Sequence, residues 1–347
     1  MKKLLMISLL LLVFAMPVGA AEIIEAPVPD TGTELLPAEQ GSFGNDLWYV
    51  IRTALSQTLP NLREGMGVCL RVFAAVMLLS MAGSFGGLGK RAVQICGIVV
   101  LSTLLMGSAH AMIQLGADTV GRISDYGKLL LPVMTAALAA QGGTTSSAAL
   151  YAGTALFDTI LSTLITSLLV PLVYVYIALS VANAATGEEQ LKKLRDFIKW
   201  LTTWSLKWIL YIFVGYMGIT GVVSGSTDHM TLKATKITIS GAVPVVGGIL
   251  SDASEAVVVG MGVVKSAAGI YGILALLAVC IGPFLKIGVQ SILLKLTAFF
   301  SGVIVGKEHQ GLIECFSTAM GFLLAMTGTV CLMQMISVVC FMRGIQL

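Results

Sequence analysis

The sequence predicts an all-α, polytopic integral membrane protein, and its composition and its long apolar runs lead to that fold class. Apolar residues make up 56% of the 347-residue chain and charged residues only 11%, and the mean hydropathy is +0.93. Soluble domains carry about 25% charged residues, so this chain has too few charges to cover a surface in water. Apolar runs of about 20 residues, the length that a helix needs to cross a bilayer, recur along the sequence.

Residues 1–21 have the three parts of a secretory signal peptide. Lys2 and Lys3 form the charged start, Leu4–Ala15 the apolar core, and Val18–Ala20 a small-residue cleavage site. The core is short and small residues follow it, which favours cleavage over the alternative of an uncleaved anchor helix. We therefore expect an extracytoplasmic N-terminus after cleavage.

The next two segments differ in their pattern. Residues 22–44 are acidic, contain three prolines and offer little to pack, so we expect a flexible extracytoplasmic tail. In residues 45–64, apolar side chains recur at helical spacing and follow the aromatic pair Trp48 and Tyr49. This pattern predicts an amphipathic helix on the outer membrane face, and partner binding by the same helix is a compatible alternative.

Residues 65–347 form the predicted membrane domain, with about five to seven spans. The candidate spans are Gly65–Phe85, Val93–Ala117, Ser146–Ala185, Trp200–Val223, Ala267–Val289 and Thr318–Phe341. Ser146–Ala185 has about twice the length of one crossing and contains Pro171, so it is either one kinked helix or two segments. Shorter apolar stretches are interfacial, re-entrant or tilted: Leu129–Ala140, Ala253–Lys265 and Ile292–Val305.

Basic residues in short loops give the orientation, since cytoplasmic loops are rich in lysine and arginine. Lys90 and Arg91 mark one cytoplasmic loop, and Glu188–Lys199 marks the stronger one. With an outside N-terminus, the chain returns outside near Asp118–Lys128, and residues 227–265 are again outside. Beyond Lys286 the sequence leaves the topology open.

Within Glu188–Lys199, the basic side chains Lys192, Lys193 and Arg195 lie opposite an apolar face. The simpler interpretation is a positively charged anchor that continues into the next span. The functional alternative is a docking site for a cytoplasmic partner.

Residues 227–265 form a polar, broken stretch between apolar runs. Pro244 removes a backbone donor, and Gly247 and Gly248 allow close backbone approach. Irregular backbone at membrane depth is tolerated only when it is buried in protein or lines a cavity, so we expect a re-entrant or amphipathic element. Asp252 and Glu255 have capping-box spacing, and an alternative role is a carboxylate pair facing an aqueous path.

Six ionisable residues lie inside apolar runs: Arg71, His110, Asp158, Lys286, Lys295 and Glu314. Such side chains usually face the protein interior or reach toward the interface. Arg71 and Asp158 lie nearest to the middle of their spans, so we expect them to form a charge pair. Lys286 and Lys295 lie near helix ends and are expected to reach the interface.

Several functional classes lack a signal in this sequence. There is no basic tract for nucleic acid, no cysteine–histidine cluster for a metal, and no motif for a cofactor. Ser84–Arg91 is superficially like a phosphate loop but lacks its first glycine and its Ser or Thr. We expect no enzymatic activity. Repeated Gly-x-x-x-Gly spacings favour close helix packing, within the chain or in a homo-oligomer.

Three stretches together resemble the stage III sporulation protein AE family: Thr231–Ala253 (TLKATKITISGAVPVVGGILSDA), Leu130–Met134 (LLPVM) and the closing apolar run. The resemblance covers most of the chain after about residue 45. It implies a multi-pass subunit of the channel-like, secretion-like complex that joins mother cell and forespore after engulfment. It carries no catalytic residues.

The resemblance also implies partners and a location. The partners are the other stage III sporulation A-group proteins, among them a cytoplasmic ATPase and ring proteins of the intermembrane space, with the forespore-side protein Q completing the bridge. The location is the mother-cell membrane around the forespore. The alternative, from another class, is a stand-alone secondary transporter or permease that couples ions through Arg71, Asp158, Asp252 or Glu255.

Overall fold

A computed structural model describes residues 27–29, 31–37, 43–84, 89–140, 144–219, 267–304 and 307–344, and the predicted signal peptide lies outside these ranges. Seven α-helices account for most of them: α1 (Phe43–Ser84), α2 (Lys90–Ala140), α3 (Thr144–Leu164), α4 (Val170–Thr186), α5 (Glu189–Ile219), α6 (Ala267–Ile304) and α7 (Lys307–Gly344). The described residues contain no β-strand, which confirms the all-α fold class.

Helices α3 and α4 form one long rod. A π-helical turn, Ile165–Leu169, joins them just before Pro171. A proline inside a helix removes a hydrogen bond and crowds the preceding turn, and a π-helical turn relieves that crowding. The structure thus selects the single long helix over two separate segments for Ser146–Ala185.

Neighbouring contacts fix the direction of each helix. Helices α2 and α7 run parallel, since Gly97 faces His309 while Gly127 faces Gln334. Helices α3 and α4 run opposite to α7, because Asp158 bonds Gln334 near one end and Tyr176 packs on Phe322 nearer the other.

The same reasoning orients the remaining helices. The pairing of Glu64 with Lys286 on α6 and the contact of Arg195 on α5 with Cys315 on α7 complete the assignment. Three helices, α1, α4 and α6, therefore end at one end of the bundle, here called the basal end. Helices α2, α5 and α7 begin there.

Helix α7 lies at the centre of the bundle. Of its most apolar 18-residue stretch, 94% is buried, against 22% for α1. Five other helices pack around it: α2, α3, α4, α5 and α6. A helix that is apolar on every side needs such an environment, and here other helices provide it.

The structure contains five helical stretches that are long and apolar enough to cross a membrane. They are Leu62–Ala82, Arg91–Ala139, Ser147–Thr186, Gly269–Ile304 and His309–Met342. Their number lies at the lower end of the five to seven expected and confirms a polytopic membrane protein. The predicted span Trp200–Val223 extends beyond the last described residue of α5.

The described helices are longer than the apolar runs suggested. Residues 45–64 and the following span form the single helix α1, with Pro60 inside it. Leu129–Ala140 is the end of α2 and Ile292–Val305 is mostly the end of α6, so the expectation of separate short elements was wrong for both. The charged stretch Asp118–Lys128 lies within α2 rather than in a loop.

The expectation of a flexible tail is wrong for residues 31–37. Thr33–Leu35 forms a 3₁₀ turn, and Leu35 is only 4% exposed between α1 and α6. Gly32 makes this fit possible, because its φ is +83° and a Cβ there would lie 2.7 Å from the Ala278 carbonyl oxygen. The sequence signal that was missed is the apolar pair at Leu35 and Leu36.

Close packing of α2 against α7 depends on glycine at position 127. A Cβ at Gly127 would collide with the Gln334 side-chain amide, and Gln334 is buried and hydrogen-bonded to Asp158. The amide therefore cannot move aside without losing that bond. Gly121, on the same helix, has no atom within 4 Å of its would-be Cβ.

We predict that Gly127→Ala lowers the free energy of unfolding by about 1–3 kcal/mol through overpacking. Gly121→Ala is the matched control and should leave it unchanged or raise it by up to about 1 kcal/mol, since alanine favours helix. Thermal unfolding of the purified variants in detergent measures both. Equal unfolding temperatures for the two variants would contradict the packing described here.

Candidate functional site

A buried carboxylate, Asp158 on α3, forms a polar centre within the apolar bundle. Its side chain is 2% exposed. Ser124 Oγ of α2 donates a hydrogen bond to Asp158 Oδ2 at 2.6 Å, and Gln334 Nε2 of α7 donates to Oδ1 at 2.7 Å. The carboxyl group thus links three helices whose other contacts are mostly apolar.

The geometry of this centre supports two kinds of role. A buried carboxyl that accepts two hydrogen bonds fixes the register of the helices that donate them. A buried ionisable residue in a membrane protein is also a candidate for an ion or proton pathway. Both roles depend on the same donors, Ser124 and Gln334.

The structure does not join the two residues expected to form a charge pair. Arg71 on α1 has an exposed side chain, and its Nε donates to the Gly67 carbonyl oxygen at 3.1 Å. Asp158 instead meets Ser124 and Gln334. Arg71 and Asp158 lie at similar positions along their apolar runs, but they do not meet, because α1 and α3 pack mainly against different helices.

His110 has a partner at the side of the bundle. Its Nδ1 lies 2.7 Å from Tyr174 Oη, which links α2 to α4. The side chain of His110 is exposed rather than directed into the protein interior.

The three basic residues near the start of α5 lie at the basal end, but they differ in exposure. Lys192 and Lys193 are exposed. Arg195 is partly buried, donates to Asp196 Oδ1 at 2.9 Å and contacts Cys315 Sγ at 3.5 Å. Burial lowers the pKa of Arg195, but the hydrogen bond to Asp196 and the electrostatic interactions with Cys315, Asp196 and Tyr176 together raise it above its ordinary value. Arg195 therefore anchors α5 to α7, and the two lysines remain available to a partner.

An aromatic stripe continues along α5 from these lysines. Trp200, Trp204 and Trp208 are exposed; the rings of Trp200 and Trp204 stack with centroids 5.7 Å apart, and the ring of Trp208 is tilted by 55° at 5.8 Å from Trp204. Tryptophan rings concentrate at membrane interfaces and at binding surfaces.

Two further candidate features are the predicted re-entrant or amphipathic element and a metal site. Pro244, Gly247, Gly248, Asp252 and Glu255 lie outside the described residues. Within the described ranges, no group of three or more His, Cys, Asp or Glu side chains could hold a metal ion.

Sequence reasoning missed Ser124, Gln334 and Gly127 as members of the Asp158 centre. A serine and a glutamine in an apolar run are common, and nothing local marks them as partners of a residue 34 or 176 positions away. A usable signal was Gln334, an amide within the closing apolar run of the chain.

Comparison with known proteins gives one family. The sequence profile of the family described as stage III sporulation protein AE matches residues 40–344. The stage III sporulation protein AE of Bacillus subtilis (strain 168) is 24% identical over 274 residues, which cover 79% of this chain and 68% of that relative. No solved structure matches the chain significantly.

We predict that Asp158→Ala destabilises the bundle by about 2–6 kcal/mol, because it leaves two buried donors without an acceptor at about 1–3 kcal/mol each. Asp158→Asn should cost less, since the amide oxygen still accepts one bond. Asp125→Ala, an exposed carboxylate on α2, is the control and should change stability by about 0.5 kcal/mol or less. Unfolding monitored by tryptophan fluorescence gives the comparison, and equal loss in all three variants would refute the centre's role.

Proposed function

The chain belongs to the stage III sporulation protein AE family, and we propose that it is an integral membrane subunit of the channel-like complex joining mother cell and forespore. Family membership gives it a role in sporulation, and its apolar helices make it a membrane protein. The observation that carries the proposal is the extent of the match, which runs through all seven described helices.

The basal end is proposed to face the mother-cell cytoplasm. Arg91, Lys192, Lys193 and Lys199 are exposed on segments that begin α2 and α5 at this end. The positive-inside rule assigns such an end to the cytoplasm. The protein would then lie in the mother-cell membrane that surrounds the forespore, with the start of α1 on the other side.

We assign cytoplasmic docking to Lys192 and Lys193, beside the aromatic stripe of α5. The partner implied by the family is the secretion-type ATPase of the complex. Arg195 is excluded from direct docking in this assignment, because Asp196 and Cys315 already engage its guanidinium.

Residues 227–265 are proposed to contact the ring proteins of the intermembrane space. The last described residue of α5, Ile219, lies opposite the basal end, where Tyr216 Oη bonds the Ala149 carbonyl oxygen near the start of α3. This end faces the intermembrane space in the proposed orientation. The forespore-side protein Q would complete the bridge through those rings, not through this chain.

A second candidate is an ion-coupled transporter without catalytic activity. Asp158 favours it, because an inward-facing carboxyl in a membrane bundle is typical of proton and ion pathways. Purified protein that moves a solute down an ion gradient in liposomes, without other proteins, would support the transporter over the complex subunit.

The direct test of the proposal is deletion of the gene in its spore-forming host. Fluorescence microscopy would follow engulfment and a late forespore-specific reporter. We expect normal engulfment followed by small forespores in which the reporter is silent. Unimpaired spores would refute the proposal.

We predict that Lys192→Glu/Lys193→Glu weakens co-purification with the ATPase at least about tenfold, because like charges across an interface cost several kcal/mol. The matched control is Arg122→Glu/Lys128→Glu, which reverses two exposed cations on α2 far from the basal end. The control should retain the ATPase. Equal recovery of the ATPase with both variants would remove the docking assignment.

Replacement of Pro244, Gly247 and Gly248 by alanine tests the second contact. We expect the variant to insert into the membrane and keep the ATPase but to lose the ring proteins, since the proposal assigns that contact to the irregular backbone that the sequence predicts for this segment. Pull-down of both partners from one membrane extract gives the result. Undiminished ring-protein recovery would contradict the assignment.

A further inference from the structure

A cavity of about 350 Å³ opens between α1, α2 and α6. This volume falls within the range of ligand-binding pockets, about 300–1,000 Å³. Its charged and amide side chains are Glu64, Arg71, Lys286 and Gln290, and the rest of its wall is Ser108, glycine and apolar residues. None of these four side chains belongs to the Asp158 centre.

The charges around the cavity favour an anion. Arg71 and Lys286 supply two positive charges and Glu64 one negative charge, which leaves one positive charge in excess. Lys286 Nζ lies 3.5 Å from Glu64 Oε2, and the Glu64 side chain is 73% exposed, so this ion pair is weak. Arg71 uses one of its five N–H donors on the Gly67 carbonyl oxygen.

A buried amide points to the same conclusion independently. Gln290 is only 5% exposed, yet its Nε2 has no hydrogen-bond partner among the described residues. An unsatisfied buried donor destabilises a fold, so such a group is usually satisfied by something that binds there. An oxygen-rich anion in the cavity would accept that bond and also neutralise the excess charge.

The depth of the cavity indicates where the anion comes from. Along α1, Glu64 lies about 30 Å from the basal end at Ser84, and along α6, Lys286 lies about 27 Å from Ile304, at about 1.5 Å per helical residue. The hydrocarbon core of a bilayer is about 30 Å thick. With the basal end at one interface, the cavity therefore lies near the level of the phosphates of the opposite leaflet.

We propose that this cavity binds the phosphate of an anionic phospholipid headgroup, with Arg71 and Lys286 holding the phosphate oxygens and Gln290 donating its amide N–H. The bound lipid would fix α6 against α1 and α2 on the side of the bundle that faces the membrane. This proposal depends on the depth of the cavity and not on the role in sporulation.

Native mass spectrometry of the full chain, extracted in mild detergent, tests the proposal with phosphatidylglycerol as the probe. A neutral diacylglycerol and inorganic phosphate are run in parallel. The test variant is Arg71→Gln/Lys286→Gln, and the matched control is Lys295→Gln, an exposed cation on α6 that does not line the cavity. We expect the double variant to bind phosphatidylglycerol at least about tenfold more weakly, since hydrogen bonds to charged groups are the strong ones.

Gln290→Leu keeps the proposal testable if the double variant does not fold. Removing an unsatisfied buried donor should leave the fold at least as stable, while the affinity for phosphatidylglycerol falls. Phosphatidylglycerol retained by wild type and Lys295→Gln, and lost from the other two variants, supports the site. Competition by millimolar inorganic phosphate supports phosphate recognition with a soluble source. Equal retention in all variants, or equal binding of diacylglycerol, would overturn it.

Discussion

The burial of α7 is the constraint on which the rest of the bundle depends. Lipid tails are as apolar as leucine, so an apolar helix gains little from leaving lipid, and close packing must hold it inside. The surrounding helices supply that packing by presenting small residues to α7. Gly116 on α2 lies against Leu323, and Gly127 lies against Gln334. The outer helices in turn keep large apolar residues on their lipid-facing sides, such as Leu70 and Val303.

Polar contacts add specificity to this apolar packing. Two apolar helix surfaces can pack in several registers, whereas a hydrogen bond between helices in a water-free environment forms in only one register. Asp158 sets the register of α2, α3 and α7 together, and Ser291 and Ser317 bond each other across α6 and α7. At the basal end, Arg195 fixes α5 on α7. A partner pulling on α5 would therefore act on the buried helix through Arg195.

The fold class and the positions of most apolar segments follow from the sequence, because hydropathy reports directly on the lipid environment. Boundaries were harder to predict. The charges between Asp118 and Lys128 suggested a loop, but α2 continues through them, since helix formation requires no apolar side chains where water or neighbours accept the charge. The prediction of a flexible tail was wrong for a different reason. Leu35 has little to pack against in its own segment and is buried only against α1 and α6.

The candidate sites likewise divide into one that the sequence predicts and others that it does not. The basic cluster on α5 could be found from sequence, because charge pattern and orientation are local properties. The Asp158 centre and the cavity around Gln290 could not, because each assembles residues from three helices. Arg71 shows the limit most plainly: it was singled out as an ionisable residue within an apolar run, but it shares a cavity with Glu64, Lys286 and Gln290 and does not meet Asp158.

The measurement that tests the buried position of α7 most directly uses the six native cysteines, none of which forms a disulfide. Native membranes would be treated with N-ethylmaleimide, and adducts would be mapped by mass spectrometry before and after denaturation. Cys96 is exposed on α2, while Cys331 and Cys340 on α7 are 5% and 2% exposed. The structure predicts modification of Cys96 alone before denaturation and of all six cysteines afterwards. Modification of Cys331 and Cys340 as fast as Cys96 in native membranes would show that the other helices do not enclose α7, and would contradict the architecture.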